Sequence, residues 1–84
     1  MNTMQGIRLA TWPMDVFEVP TGSYGPDPEG TWRGIAPNGL MCNLKGHSVI
    51  EHEDGAVTVS PSILVSNRDS SWHGYLEHGV WREC

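Results

Sequence analysis

Two dipeptides, Asp54-Gly55 and His78-Gly79, constrain this chain more than anything else in it, because each stands between two runs of alternating side chains. Ser48 to Glu53 and Ala56 to Ser60 flank the first; Trp72 to Glu77 and Val80 to Cys84 flank the second. A two-residue type I′ turn needs positive φ at both central residues, which Asp-Gly supplies well and His-Gly less readily. Read as two-residue turns, both dipeptides predict β-hairpins of fixed register. In the first, Glu53 falls opposite Ala56, His52 opposite Val57, Glu51 opposite Thr58 and Ile50 opposite Val59. Ile50, His52, Val57 and Val59 then share an apolar face, with Val49 on the other among Glu51, Glu53, Ala56, Thr58 and Ser60. In the second, Glu77 falls opposite Val80, Leu76 opposite Trp81, Tyr75 opposite Arg82 and His73 opposite Cys84. Trp72, Leu76 and Trp81 share the core side, where Gly74 leaves a gap that an indole can fill. His73, Tyr75, Arg82 and Cys84 share the polar side. Ser60-Pro61-Ser62-Ile63-Leu64 reads as the connection between the two hairpins.

The preceding residues supply shorter pieces. Gly6 to Trp12 alternates as a first strand, and Pro13 ends it or marks an edge. Met14 to Val19 fits a short strand, although the spacing of Met14 and Phe17 also fits one helical turn. Pro20 to Gly30, with its prolines, glycines, Asp27 and Glu29, reads as a long loop of the kind that contacts partners. Thr31 to Ala36 reads as a strand, Pro37-Asn38-Gly39 as a turn, and Leu40 to Cys42 as its return strand. Ser66 to Ser71 is a polar loop. The expected architecture is all-β: one domain over residues 1–84, a small antiparallel sandwich or partly open barrel of six to seven short strands. Trp12, Trp32, Trp72, Trp81 and Phe17 are its large core candidates. Trp81 and Trp32 are placed in the core, and Trp12, beside Pro13, at the surface.

Composition narrows the function. A net charge of −5 with five scattered basic residues argues against nucleic acid, which rewards a basic surface, and fits solubility or a basic partner. No apolar run reaches membrane-spanning length, and Met1-Asn2-Thr3-Met4-Gln5 lacks the basic and apolar regions of a signal peptide. The expectation is a soluble, cytoplasmic protein. Two cysteines are too few for a disulfide framework, so Cys42 and Cys84 read as free thiols or metal ligands.

The sharpest chemical constellation is Cys42, His47, His73 and Cys84. The second hairpin sets His73 across from Cys84 with Cβ atoms about 5 Å apart, a separation that suits two ligands of one tetrahedral zinc. Cys42 and His47 flank a Gly-containing connection that can bring a second pair to the same ion. Against this, neither spacing matches the usual zinc-ligand pairs, and thiols of ordinary packing account for both cysteines. A Cys/His nucleophile pair has no local signature, so no catalytic residue is assigned. Glu51, Glu53 and Asp54 sit at a hairpin tip and read as a solvated charge cluster.

Ser60-Pro61-Ser62-Ile63-Leu64, followed by Trp72-His73-Gly74-Tyr75-Leu76 and the His78-Gly79 turn, resembles a family of small uncharacterised bacteriophage, prophage and bacterial proteins, a domain of unknown function. That family's pattern has an early cysteine pair, a central (Ser/Thr)-Pro-Ser-Ile-Leu segment and a closing Cys/Trp-His-x-aromatic hairpin. The resemblance spans residues 42–84 and implies a phage or prophage setting, with metal binding in members that keep the cysteine pair and a Cys-His dipeptide. In this chain Leu44 and Lys45 stand where the second cysteine would follow Cys42, and Trp72 precedes His73, so His73 is the one metal-type position carried over.

Three readings follow. The first is a non-enzymatic phage-type protein that binds a host or viral protein, as a host-takeover or anti-defence factor in the host cytoplasm or as a virion component. Its candidate partner surface is Trp12, Tyr24, Asp27, Glu29, Tyr75 and Arg82. The second is a zinc-stabilised module with no other cofactor, and the third a small Cys/His hydrolase. Oligomeric state is left open.

Overall fold

Alternation of side chains dominates the chain, and strands follow from it. The computed structural model describes residues 2–13 and 19–84. The strands are β1 (Thr3–Gln5), β2 (Ile7–Arg8), β3 (Ser23–Pro26), β4 (Trp32–Ile35), β5 (Met41–Asn43), β6 (Ser48–Glu51), β7 (Val57–Ser66), β8 (Ser71–Glu77) and β9 (Val80–Glu83). They form a five-stranded sheet in the order β1-β9-β8-β7-β6 and a four-stranded sheet in the order β2-β3-β4-β5. The all-β, two-layer expectation holds, with more strands than the six or seven anticipated. Among the described residues there is no helix, hence none long and apolar enough to cross a membrane.

The second hairpin has the expected register: Glu77 pairs with Val80, Leu76 with Trp81 and Tyr75 with Arg82. His78 at φ 46° and Gly79 at φ 78° provide the two positive values that a type I′ turn demands. The first hairpin is one residue out of the expected register. Ile50 pairs with Thr58 and Glu51 with Val57, so Val49, not Ile50 and His52, joins Val57 and Val59 on the inner side. Its turn is longer: His52 N–H donates to Ala56 O at 2.8 Å and Gly55 N–H to His52 O at 2.9 Å. That leaves a three-residue loop, Glu53 to Gly55, in which only Gly55 has positive φ. Asp54 does not need the left-handed region because its Oδ1 accepts the Ala56 N–H instead. The slip also spares the fold from burying an imidazole at position 52.

Three further expectations are corrected. Pro20 to Gly30 is not all loop, since Ser23, Tyr24 and Gly25 are buried in β3. Gly25 permits this: a Cβ there would lie 2.7 Å from Leu9 O, so only glycine lets the Leu9 backbone run alongside. The sheet is not wholly antiparallel, because β2 pairs in parallel with β3. Ser60 to Leu64 is no connector but the middle of β7, and its pairing with β8 jumps from Val59–Leu76 to Ile63–Gly74. Such a bulge tolerates Pro61, which has no N–H for a ladder. The expected hairpin of Thr31–Ala36 with Leu40–Cys42 is present as β4 and β5, with Gly34 opposite Cys42.

Between the sheets lie Trp81, Leu76, Val57, Val59, Ile63, Leu44 and Trp72. Trp81 is fully buried and its Nε1 donates to Gly22 O at 2.8 Å, tying the five-stranded sheet to the other layer. Trp72 meets it edge-on at 5.6 Å between centroids and 79° between planes, a favourable aromatic geometry. The gap at Gly74 is filled as expected: a Cβ there would fall 2.7 Å from the Trp72 ring. Trp32 is half-buried, with the Arg8 guanidinium 4.9 Å above its ring. Trp12 is only 5% exposed, so it belongs to the core and not to the surface. Phe17 and the element expected from Met14 onward, up to Glu18, lie outside the described residues.

Candidate functional site

The inward side of β8 takes Trp72, Gly74 and Leu76, so strict alternation sends Ser71, His73, Tyr75 and Glu77 outward. On β9, Trp81 points in and Arg82 out. Cross-strand pairing then lays out short rows on the outer face of the five-stranded sheet. Leu64 of β7 stands opposite His73, which is joined to Cys84 by the Cys84 N–H donating to His73 O at 2.9 Å. Tyr75 stands opposite Arg82, and Arg82 opposite Thr3 of β1. Leu64 is 66% and Tyr75 40% exposed, and the register makes them diagonal neighbours, a separation that long and aromatic side chains can span. Around them, Arg82 donates through Nε and Nη2 to Glu77 Oε1 at 3.0 and 2.7 Å, and Tyr75, Glu77, Arg82, Glu83 and Cys84 outline a shallow depression.

A second feature lies beside this pair. The β7 bulge turns Ser62 toward two imidazoles: His73 Nε2 lies 2.9 Å from Ser62 Oγ, and His47 Nε2 lies 3.3 Å from Ser62 O. Two of the four proposed zinc ligands, His47 and His73, therefore meet at one serine. The cysteines do not join them. Cys42 is buried with its Sγ 3.5 Å from Gly34 O, while Cys84 is exposed on the opposite side of β8 from Ser62. Among the described residues no three His, Cys, Asp or Glu side chains gather as a metal would require. The expected four-residue set is thus not assembled, because Cys42 follows the inward alternation of β5. Burial pushes the Cys42 thiol up to about 11, which keeps it protonated and poorly nucleophilic near neutrality.

The proposed partner residues divide in the same way. Tyr75 and Arg82 are on the outer face. Tyr24 is 2% exposed, and burial raises its phenol above the ordinary tyrosine value; with Trp12 it is removed from the candidate surface. Tyr24 lies in the Pro- and Gly-rich stretch that reads as a loop, and Trp12 reads as exposed because Pro13 follows it; instead Tyr24 sits in β3 and Trp12 N–H donates to Pro26 O at 2.7 Å. Glu29 is exposed at the tip of the 27–30 turn. Asp27 shapes that turn: Oδ1 accepts from Glu29 N–H and Thr31 N–H, and Oδ2 from Arg33 Nε at 3.0 Å. The Arg33 hydrogen bond, with the Thr31 amide, holds the Asp27 carboxyl below its usual range. Asp27 therefore serves the turn.

One cluster escaped the sequence reading. At the tips of the two hairpins His52 and His78 stack with centroids 4.2 Å apart and planes 2° from parallel. Thr58 Oγ1 accepts the His78 N–H at 2.9 Å and lies 2.7 Å from His52 Nε2, while His78 Nε2 pairs with Asp54 Oδ2 at 2.8 Å. The pair exists because the slipped register turns His52 outward. Beside it Arg8 joins Glu51 Oε2 at 2.7 Å and also contacts Gly55 O, linking the two sheets at this end. Compared with family models, with curated proteins and with solved structures, the chain finds no match.

Proposed function

We propose that this chain is a phage-type binding protein without catalytic chemistry of its own, and that it engages a host or viral protein through the outer face of its five-stranded sheet. The observation that carries the reading is that Leu64 and Tyr75 are both exposed on the outer face at diagonal positions of the β7–β8 ladder, with polar His73, Arg82 and Glu77 around them. An apolar centre with a polar rim is the anatomy of a protein interface, and a tyrosine at its centre is a common energetic anchor. The buried Cys42 thiol supports the absence of thiol catalysis. The Ser62–His73 contact has nucleophile–base spacing, but no bond from another described residue orients the His73 ring as a catalytic base requires. The phage setting rests on the Ser60–Leu64 and Trp72–Gly79 motifs, and with it the host cytoplasm or the virion as the place of action.

The test is capture from host lysate and from purified virions, followed by reconstitution with the identified partner. Leu64→Asp and Tyr75→Ala should each weaken the reconstituted complex by about thirtyfold, the scale of an interface anchor. A partner indifferent to both substitutions, or no partner from either source, would refute the reading.

A further inference from the structure

The five-stranded sheet ends on β1 at one edge and on β6 at the other, and the β6 edge carries unpaired main-chain groups. The 52/56 pair is hydrogen-bonded, and bonded and non-bonded pairs alternate along an antiparallel ladder, so 50/58 and 48/60 are bonded as well. The main-chain N–H and C=O of Val49 and Glu51 therefore point off the sheet, and they meet no partner among the described residues. Natural edges are commonly blunted by proline, a bulge or a charge at the centre. This strand has no proline and no bulge, its one charged residue, Glu51, is held by Arg8 at 2.7 Å, and Ile50 beside it is 55% exposed. Charge is distributed unequally along it. Lys45 and His47 precede the strand, and Glu53 and Asp54 follow it, with Lys45, Glu53 and Asp54 exposed.

We infer that β6 pairs antiparallel with β6 of a second copy of this chain, about a two-fold axis at Ile50. Independently of the outer-face reading, this register uses the free groups of the edge: Val49 bonds Glu51 of the partner copy and Glu51 bonds Val49, at both ends of the axis. Ile50 then faces its own symmetry mate across a non-bonded pair, where side chains come closest and both lose their exposure. The antiparallel sense lays the Lys45/His47 end of each copy on the Glu53/Asp54 end of the other. A neighbour in the parallel sense would lay acid on acid. A four-residue edge buries less than the area of a stable interface, so the dimer is weak and concentration-dependent.

Sedimentation of the full chain from about 10 μM to 1 mM, a range chosen for a weak dimer, reads the result. The wild type should move from 9.3 kDa toward twice that mass. Ile50→Asp, at an exposed position, should remain monomeric with an unchanged circular dichroism spectrum. Lys45→Glu should weaken the dimer about tenfold, since two exposed pairs are lost by symmetry, and Lys45→Glu combined with Glu53→Lys should restore it. A wild type that stays monomeric throughout overturns the inference, as does a dimer that ignores Ile50→Asp. A double reversal that fails to rescue overturns the charge-matched two-fold pairing.

Discussion

The two glycine hairpins of this chain look alike as sequence and differ as structure. Each has an X-Gly dipeptide between alternating runs, yet β8–β9 turns in two residues and β6–β7 in three. At His78-Gly79 both residues enter the left-handed region; at Asp54-Gly55 only the glycine does. The difference arises from what the first residue can do otherwise. Asp54 caps the Ala56 amide with its own carboxylate and so stays out of the strained region. His78 accepts positive φ while its amide reaches Thr58 and its ring reaches Asp54 and His52. The cores beneath reinforce both outcomes: Val49 with Val57 and Val59 in one hairpin, Trp72 and Leu76 with Trp81 in the other. A turn dipeptide predicts a hairpin, while the buried face decides its register.

The largest effect falls within the second hairpin. Gly74→Ala would set a Cβ 2.2 Å from Arg82 O and 2.7 Å from the Trp72 ring. Backbone cannot yield as a flexible side chain does, so chemical denaturation should show a loss of about 3 kcal/mol or more. Deleting Glu53 has an intermediate effect. It leaves Asp54-Gly55 as a true two-residue turn between His52 and Ala56, converting the first hairpin to the geometry of the second. If burial of Val49 sets the register, stability should change by no more than about 1 kcal/mol and contacts between Val49 and Val59 should persist by NMR. A register moved by one residue would show instead that the loop dictates the pairing. The smallest effect is acid sensitivity at the place where the two tips meet. The His78 hydrogen bond, aided by the Ala56 amide, holds the Asp54 carboxyl below its usual range. A depressed carboxylate contributes stability that is present above its unfolded value and lost as pH falls through the folded one. Thermal melts should therefore weaken below about pH 4, and His78→Asn, which keeps a residue tolerant of positive φ, should flatten that acid limb.

The same contrast explains how much was legible. Strict alternation, with Trp72, Leu76 and Trp81 on one side and a glycine gap between the first two, makes β8, β9 and their inward tryptophans readable, and with them the outward row of His73, Tyr75 and Arg82. Pro37-Asn38-Gly39 likewise marked the β4–β5 hairpin. What resisted reading depended on contacts far apart in the chain. Thr3–Gln5 is too short to announce itself and becomes a strand only against β9. Ser23–Pro26 carries residues that favour turns and is a strand because Gly25 admits the Leu9 backbone. Pro61 signals an interruption, and the bulge absorbs it inside a continuous strand. Tyr24 reads as a loop residue for the same reason as the rest of Ser23–Pro26, and Trp12 reads as exposed because Pro13 follows it, though both are buried. The stacked histidines followed from a one-residue slip that no local signal distinguishes.

Thr3 pairs with Arg82, and the five-stranded sheet cannot be completed until these two distant stretches find each other. Between them Gly6 N–H donates to Gly79 O at 2.8 Å, just where the chain passes from one layer to the other. Closing so long a loop carries an entropic penalty that local hairpins avoid, and folds rich in such distant contacts mature slowly. The hairpins should form early and the joining of the first strand to the ninth late, so until that final clasp the flank of β9 stands bare and open to mispairing.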